Sequence, residues 1–240
     1  MIKITIFFLR FNIFIFAYIT YCTNVLFLLL NFKIISKKLF HLSAYLCSIS
    51  LGIKYKIDKN SKLHLLKKGI HTVNHDNPLD IFVAQCIFRI PTITTVDDHL
   101  KNLIPFFKES ISNFGHFNFD YLDFDKRKLA YLFLQKKSRI DKNILIFPSG
   151  SIYTPITKRF SKSISKLSKK NNLDVITWKI YFEGKQESFV KYEKNVYNFI
   201  FKSFLAESIN LVVKEFKIFS PLEFRSEEEL HEKLRSFYMN

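Results

Sequence analysis

The chain has 240 residues, a formal net charge of +16, 48% apolar residues and 17% aromatics. That length suits one domain with an appended membrane segment, and the apolar content excludes global disorder. Five glycines and six prolines exclude collagen-like and linker-rich architectures, while the charge excludes an acidic solvating protein and points to an anionic partner: nucleic acid, anionic lipid or a phosphorylated substrate. Lysine, isoleucine, phenylalanine and asparagine are abundant and arginine is scarce, so part of the charge is compositional. Cys22, Cys47 and Cys86 form no CxxC pair and no zinc spacing with histidine. An odd count gives no disulfide framework, and a reducing compartment fits best.

Phe11 to Phe32 carries no charged residue and is long enough to span a bilayer core. The competing reading is a cleaved signal peptide. The length of the run, Arg10 near its start and the lack of a small-residue cleavage site favour a retained anchor. Lys33, Lys37 and Lys38 follow the run, against Lys3 and Arg10 before it, which places the C-terminal bulk on the cytoplasmic side. From Lys33 to Ser50, Ile35, Leu39, Leu42, Leu46 and Ile49 recur at helical spacing, with Lys38, His41 and Ser48 off that line. The pattern predicts either an amphipathic helix lying on the membrane or the first core helix of the soluble part.

Ile53–Ile57 alternates like a strand, and the stretch around Gly69–His75 carries a short apolar run into a loop. Pro78–Phe88 reads as a helix, Asp125–Lys137 as an amphipathic helix and Asn143–Pro148 as a buried strand stopped by proline. A basic helix over Ser161–Lys170, strands over Leu173–Phe182 and Ile209–Phe219, and a closing helix follow. Ser226 is that last helix's N-cap, with Glu229 completing a capping box. The alternation predicts an α/β fold: a single layered domain with a mixed central sheet flanked by helices, preceded by an N-terminal membrane helix. The pattern predicts an anchor and interfacial helix over residues 1–50 and a single folded domain over residues 51–240.

The richest stretch is Asn74-His75-Asp76-Asn77-Pro78-Leu79-Asp80. Asn77 is a good N-cap and proline is favoured at the first helical position, which puts Asp80 in the first turn. A carboxylate there can accept a hydrogen bond from one nitrogen of His75, leaving the other as a base for a hydroxyl proton. Taken alone, the same residues also suit an ordinary capping box beside a loop histidine.

Asn74-His75 followed four residues later by Asp80 resembles the first motif of the glycerolipid acyltransferases, the family of lysophosphatidate and glycerol-3-phosphate acyltransferases. Ile104-Pro105-Phe106-Phe107 and Phe114–Asp120 resemble its second motif, and Ile146-Phe147-Pro148-Ser149-Gly150-Ser151 its third. Phe160 to Trp178 lies over its next helix and strand, so the similarity covers roughly residues 70–240. The chain departs from the family pattern at several positions. Ser149, Ser151 and Ile152 stand where the third motif has Glu, Thr and Arg. Tyr121 replaces the second motif's Arg, and Thr177 replaces the fourth motif's Pro.

The resemblance implies direct acyl transfer. His75 would be general base on an acceptor hydroxyl, Asp80 would orient it, and the donor would be an acyl-CoA or acyl-carrier protein with no cofactor. Asn74, Ser149, Gly150 and Ser151 would contact substrate. Lys158 and Arg159, with Lys162, are candidates to replace the absent arginines, against the reading of a solvated basic face. A serine nucleophile lacks its G-x-S-x-G elbow. The implied partners are membrane lipids and the thioester donor. A non-phosphate acceptor, a silent scaffold on the same fold and a basic nucleic-acid binder are the alternatives, the last without a reading element.

Overall fold

Two four-residue strands, β2 (Ile70–Val73) and β6 (Asn143–Ile146), bury every residue they contain. Continuous burial is what parallel strands covered on both faces require. The computed structural model describes residues 2–57, 67–74, 80, 92–97, 107–113, 116–119, 123–139, 143–150, 158–183, 196–206 and 208–239. In chain order the other elements are α1 (Ile2–Leu29), α2 (Lys33–Ser50), β1 (Ile53–Ile57), β3 (Thr92–Ile93), β4 (Thr95–Asp97), α3 (Phe107–Asn113), β5 (Phe117–Phe119), α4 (Phe124–Ser138), α5 (Ser163–Asn171), β7 (Val175–Glu183), α6 (Val196–Leu205), β8 (Ile209–Phe219) and α7 (Glu227–Met239). The architecture is mixed α/β with a central mixed sheet and flanking helices. Contacts divide the chain into two units. One is residues 1–57, 77–89 and 180–213; the other is 58–76, 90–179 and 214–240.

The second unit holds the strand order β8-β7-β2-β6-β3. β2 pairs in parallel with β6, Ile70 opposite Ile144 and Thr72 opposite Ile146, and on its other side with β7, Ile70 opposite Val175. Parallel neighbours need crossover connections, which the helices supply. Leu134 of α4, Ile164 and Leu167 of α5, and Leu230 and Leu234 of α7 fill one core with Ile70 and Ile144. Each such side chain contributes about 1.5–3 kcal/mol. Thr177, at the position of the absent proline, is fully buried. Its hydroxyl donates to the Lys217 carbonyl at 2.8 Å and accepts from the Lys217 N–H at 3.1 Å. A side chain there does the work of a ladder bond.

Local capping follows the sequence with one shift. Asp123 caps α4, accepting from the N–H groups of Asp125 and Lys126. Ser226 caps α7 through the Glu229 N–H at 3.1 Å. The Glu229 carboxylate, expected to close the box on the Ser226 N–H, accepts instead from the Arg225 N–H at 2.6 Å. Asn172 ends α5 in the left-handed region, as asparagine tolerates.

In the first unit, β1 pairs in parallel with the first half of β8, Ile53 opposite Ile209. α1 ends at Leu29, three residues before the apolar run does, because Asn31 turns the chain with φ 64°. α2 then packs antiparallel on α1. Ser36 donates to the Asn24 amide oxygen at 2.7 Å, and Tyr21 sits 6.4 Å from Phe40.

The hairpin is sorted in the reverse of a soluble one. α2 turns Ser36, Ser43, Ala44 and Ser48 inward, with Phe40, while Ile35, Leu42 and Ile49 of the predicted apolar line face outward. Ser48, off the apolar line, is buried. α1 likewise buries Thr20 and Asn24 and exposes Phe8, Leu9, Phe16 and Ile19. Small and hydroxylated residues at a helix interface with large apolar ones outside is the packing of helices in an apolar medium. α1 is long and apolar enough to cross a membrane over Ile4–Leu29.

Arg10 is not a flanking charge as its position suggested. It is buried, and its guanidinium donates to the carbonyls of Ser203, at 2.9 Å, and Ala206, at the end of α6. The helix C-terminus supplies the partial negative charge that a buried cation needs. The sequence reading did not foresee α3, α6 or the short strands β3, β4 and β5. The predicted helix over Pro78–Phe88 lies outside the described residues except for Asp80, which is helical.

Candidate active site

The register of β2 against β6 decides which loops meet. Thr72 lies opposite Ile146, so Asn74 and the Phe147–Gly150 turn leave the same carboxyl edge from adjacent parallel strands. In parallel α/β sheets that edge is where ligands bind. Asn74 and Ser149 are both buried, at 6% and 2% exposure. Gly150 is exposed with φ +71°, and its N–H closes a turn on the Phe147 carbonyl at 3.0 Å. That backbone conformation favours glycine, and no described atom lies within 4 Å of where a Cβ would stand. Among the described residues nothing covers that side-chain position, a form that allows close approach of a substrate to backbone.

Asp80 is buried at 1% exposure. Burial of a carboxyl group is stable only with polar partners. His75, and with it the expected His75–Asp80 hydrogen bond, lies outside the described residues. So do Ser151, Tyr121 and Ile152. Lys158 is exposed and Arg159 half-buried; neither lines the cleft between α4 and α5, whereas Lys162 does.

Beneath the Asn74 loop runs a polar network that the sequence reading missed. His71 is fully buried. Its Nδ1 accepts from the Trp178 indole N–H at 3.0 Å, which leaves Nε2 as the protonated nitrogen, facing the Lys67 carbonyl at 3.0 Å. Burial pushes the His71 pKa down to about 4, against the smaller upward pull of the Lys67 carbonyl. The imidazole is therefore neutral at neutral pH and serves as a fixed strut. One residue on, the Tyr238 hydroxyl meets the Thr72 hydroxyl at 2.7 Å and donates to the Thr72 carbonyl at 2.9 Å. Burial drives the Tyr238 pKa upward, so this hydroxyl stays protonated. The partners lie more than a hundred residues from β2 in sequence, and no local spacing signals them.

The family model described as Acyltransferase matches residues 54–187. No curated protein matches the chain. Among solved structures, the crystal structure of the 1-acyl-sn-glycerophosphate (LPA) acyltransferase PlsC from Thermotoga maritima is similar, with a TM-score of 0.65 at 16% identity, covering 99% of this chain and 95% of that one.

Proposed function

Because the chain belongs to the acyltransferase family, we propose that it moves a fatty acyl group from a thioester donor, acyl-CoA or acyl-carrier protein, to a hydroxyl of a glycerolipid acceptor of the lysophosphatidate kind. His75 takes the hydroxyl proton as general base, and Asp80 orients the imidazole. The oxygen attacks the thioester carbonyl, and the thiol leaves with the proton. The observation that carries the reading is the β2–β6 register, which delivers Asn74 and the Ser149–Gly150 turn to one edge. Asn74, Ser149, Gly150 and Ser151 contact substrate, and glycine at 150 lets substrate approach the backbone of the turn.

The reversed sorting of the α1–α2 hairpin supports a membrane location, with Leu9, Phe16, Ile35 and Leu42 facing acyl chains. The test is acylation by purified membranes offered acyl-CoA and a panel of acceptors with and without phosphate. Wild type acylates a glycerolipid acceptor and His75→Ala does not; acylation that is independent of His75 ends the reading. Preference for an acceptor without phosphate would answer to the absence of arginine at Tyr121 and Ile152.

A further inference from the structure

The N-terminal halves of α4 and α5 flank a cleft of about 280 Å³. Phe124, Arg127, Lys128 and Tyr131 line it from α4, and Lys162, Ser163 and Lys166 from the start of α5. The spacing along each helix puts these residues on one face. None of the four cations makes an ion pair among the described residues. The Nε of Arg127 is buried without a hydrogen-bond acceptor there, its guanidinium lying 5.6 Å from the centre of the Phe124 ring. Asp123 and Asp125 stand at the start of α4, where Asp123 pairs with Lys126, and Glu227 and Glu228 in the first turn of α7 extend their fields to Tyr131 and to Lys162 with Lys166. None of these closes a bridge to the four cations. Four converging positive charges repel one another, and an orphaned buried donor carries a desolvation cost. An anion relieves both.

We propose that this cleft binds a phosphate ester, either the nucleotide phosphates of a CoA-type donor or the headgroup phosphate of a glycerolipid acceptor. The identity of the molecule rests on the acyltransferase reading; the phosphate chemistry does not. Arg127 supplies a planar fork, and Lys128, Lys162 and Lys166 supply point charges. The N-terminus of α5, which carries no acidic residue in its first turn, adds its dipole, whereas that of α4 already holds the Asp123 carboxylate. The volume falls just short of the 300–1,000 Å³ typical of whole small-molecule sites, so the cleft holds a phosphate head while the rest of the substrate runs outside it. In sequence both helices follow the positions, Tyr121 and Ile152, where the family's arginines are absent.

The experiment is calorimetric titration of the full chain in detergent micelles with two probes, adenosine 3′,5′-bisphosphate and glycerol 3-phosphate. At least one binds, with an affinity that falls as salt rises. Arg127→Gln, and separately Lys162→Glu with Lys166→Glu, weaken it about tenfold or more. Lys170→Glu, exposed on α5 and outside the cleft, leaves it within about twofold. Binding of the bisphosphate alone assigns the cleft to the donor, and of glycerol 3-phosphate alone to the acceptor. If neither binds at low salt, or if both cleft variants bind as wild type does, the proposal is overturned. Circular dichroism checks folding, and the exposed Lys128→Glu gives a second readout should Arg127→Gln unfold. His75→Ala separates the two readings, since it abolishes turnover and keeps phosphate affinity. Cleft-dependent binding without any acyl transfer would remove the acyltransferase reading alone, and His75-dependent transfer with no cleft-dependent binding would remove the cleft alone.

Discussion

Trp178 and His71 share a hydrogen bond of 3.0 Å between indole N–H and imidazole Nδ1, both side chains fully buried and the ring planes within 19° of parallel with centroids 6.0 Å apart. The bond joins β7 to β2 three residues before Asn74. It holds the strand that delivers the motif loop by a contact that no proton exchange at neutral pH disturbs.

The His71 pKa gives a pH dependence with a definite sign. Folded His71 titrates near 4 and unfolded His71 near 6.5. Between these values the unfolded chain binds the extra proton, so stability falls as pH drops from about 6.5 to about 4 and then levels off. The loss attributable to His71 is about 3 kcal/mol. Urea unfolding of wild type and His71→Gln across that range checks it. The variant is less stable at pH 7 and lacks this slope.

Tyr238 and Thr72 act as one unit through the hydroxyl pair at 2.7 Å. Tyr238→Phe costs about 1–3 kcal/mol, since buried oxygens of Thr72 lose their partner. That lowers the thermal midpoint by about 2–4 °C per kcal/mol. Thr72→Val alone costs a similar amount, and the double variant costs less than the two together. Strict additivity would show that the pair is not coupled.

Gly52 and Gly150 share φ +71° but differ in what surrounds them. At Gly150 no described atom is near, so Gly150→Ala pays only backbone strain, about 1 kcal/mol. At Gly52 a Cβ would collide with the Arg10 guanidinium, so Gly52→Ala costs about 2–4 kcal/mol. Arg10→Ala is itself destabilising, because it uncaps α6, yet in that background Gly52→Ala falls back toward the Gly150→Ala value. Chemical denaturation of the four variants reads the difference.

The outward apolar face of the hairpin is the surface expected against lipid. Ile34 and Leu42 are 74% and 44% exposed on α2. Ile34→Glu with Leu42→Glu leaves the α1–α2 contact intact and reduces flotation with liposomes. Placing Leu at Ser43, which is buried against α1, does the reverse: it disturbs the helix pair before it alters lipid affinity.

Much of this was legible along the chain. β8 and α2 fall where alternation and helical spacing put them, and Ser226 caps α7 as its side chain dictates, because these features depend on residues within a turn of one another. The order of motifs pointed to the acyltransferase family, and the family match over residues 54–187 agrees. Which of its two readings α2 follows was not legible, because its periodicity marks an apolar stripe without saying whether protein or lipid covers it. Arg10 was misread because a charge beside an apolar run reads the same whether it flanks a membrane or caps a distant helix.

The sequence by itself determined the α/β class, the long apolar N-terminal run and the residue types available after Asn74, since each is written in adjacent residues. Only the tertiary structure decided that Asn74 and Ser149 leave one sheet edge, that His71 is a buried neutral strut under them, and that Arg127, Lys128, Lys162 and Lys166 converge on one cleft. Those outcomes depend on strand register and helix packing, which are set by burial of side chains far apart in the chain and leave no local spacing to read.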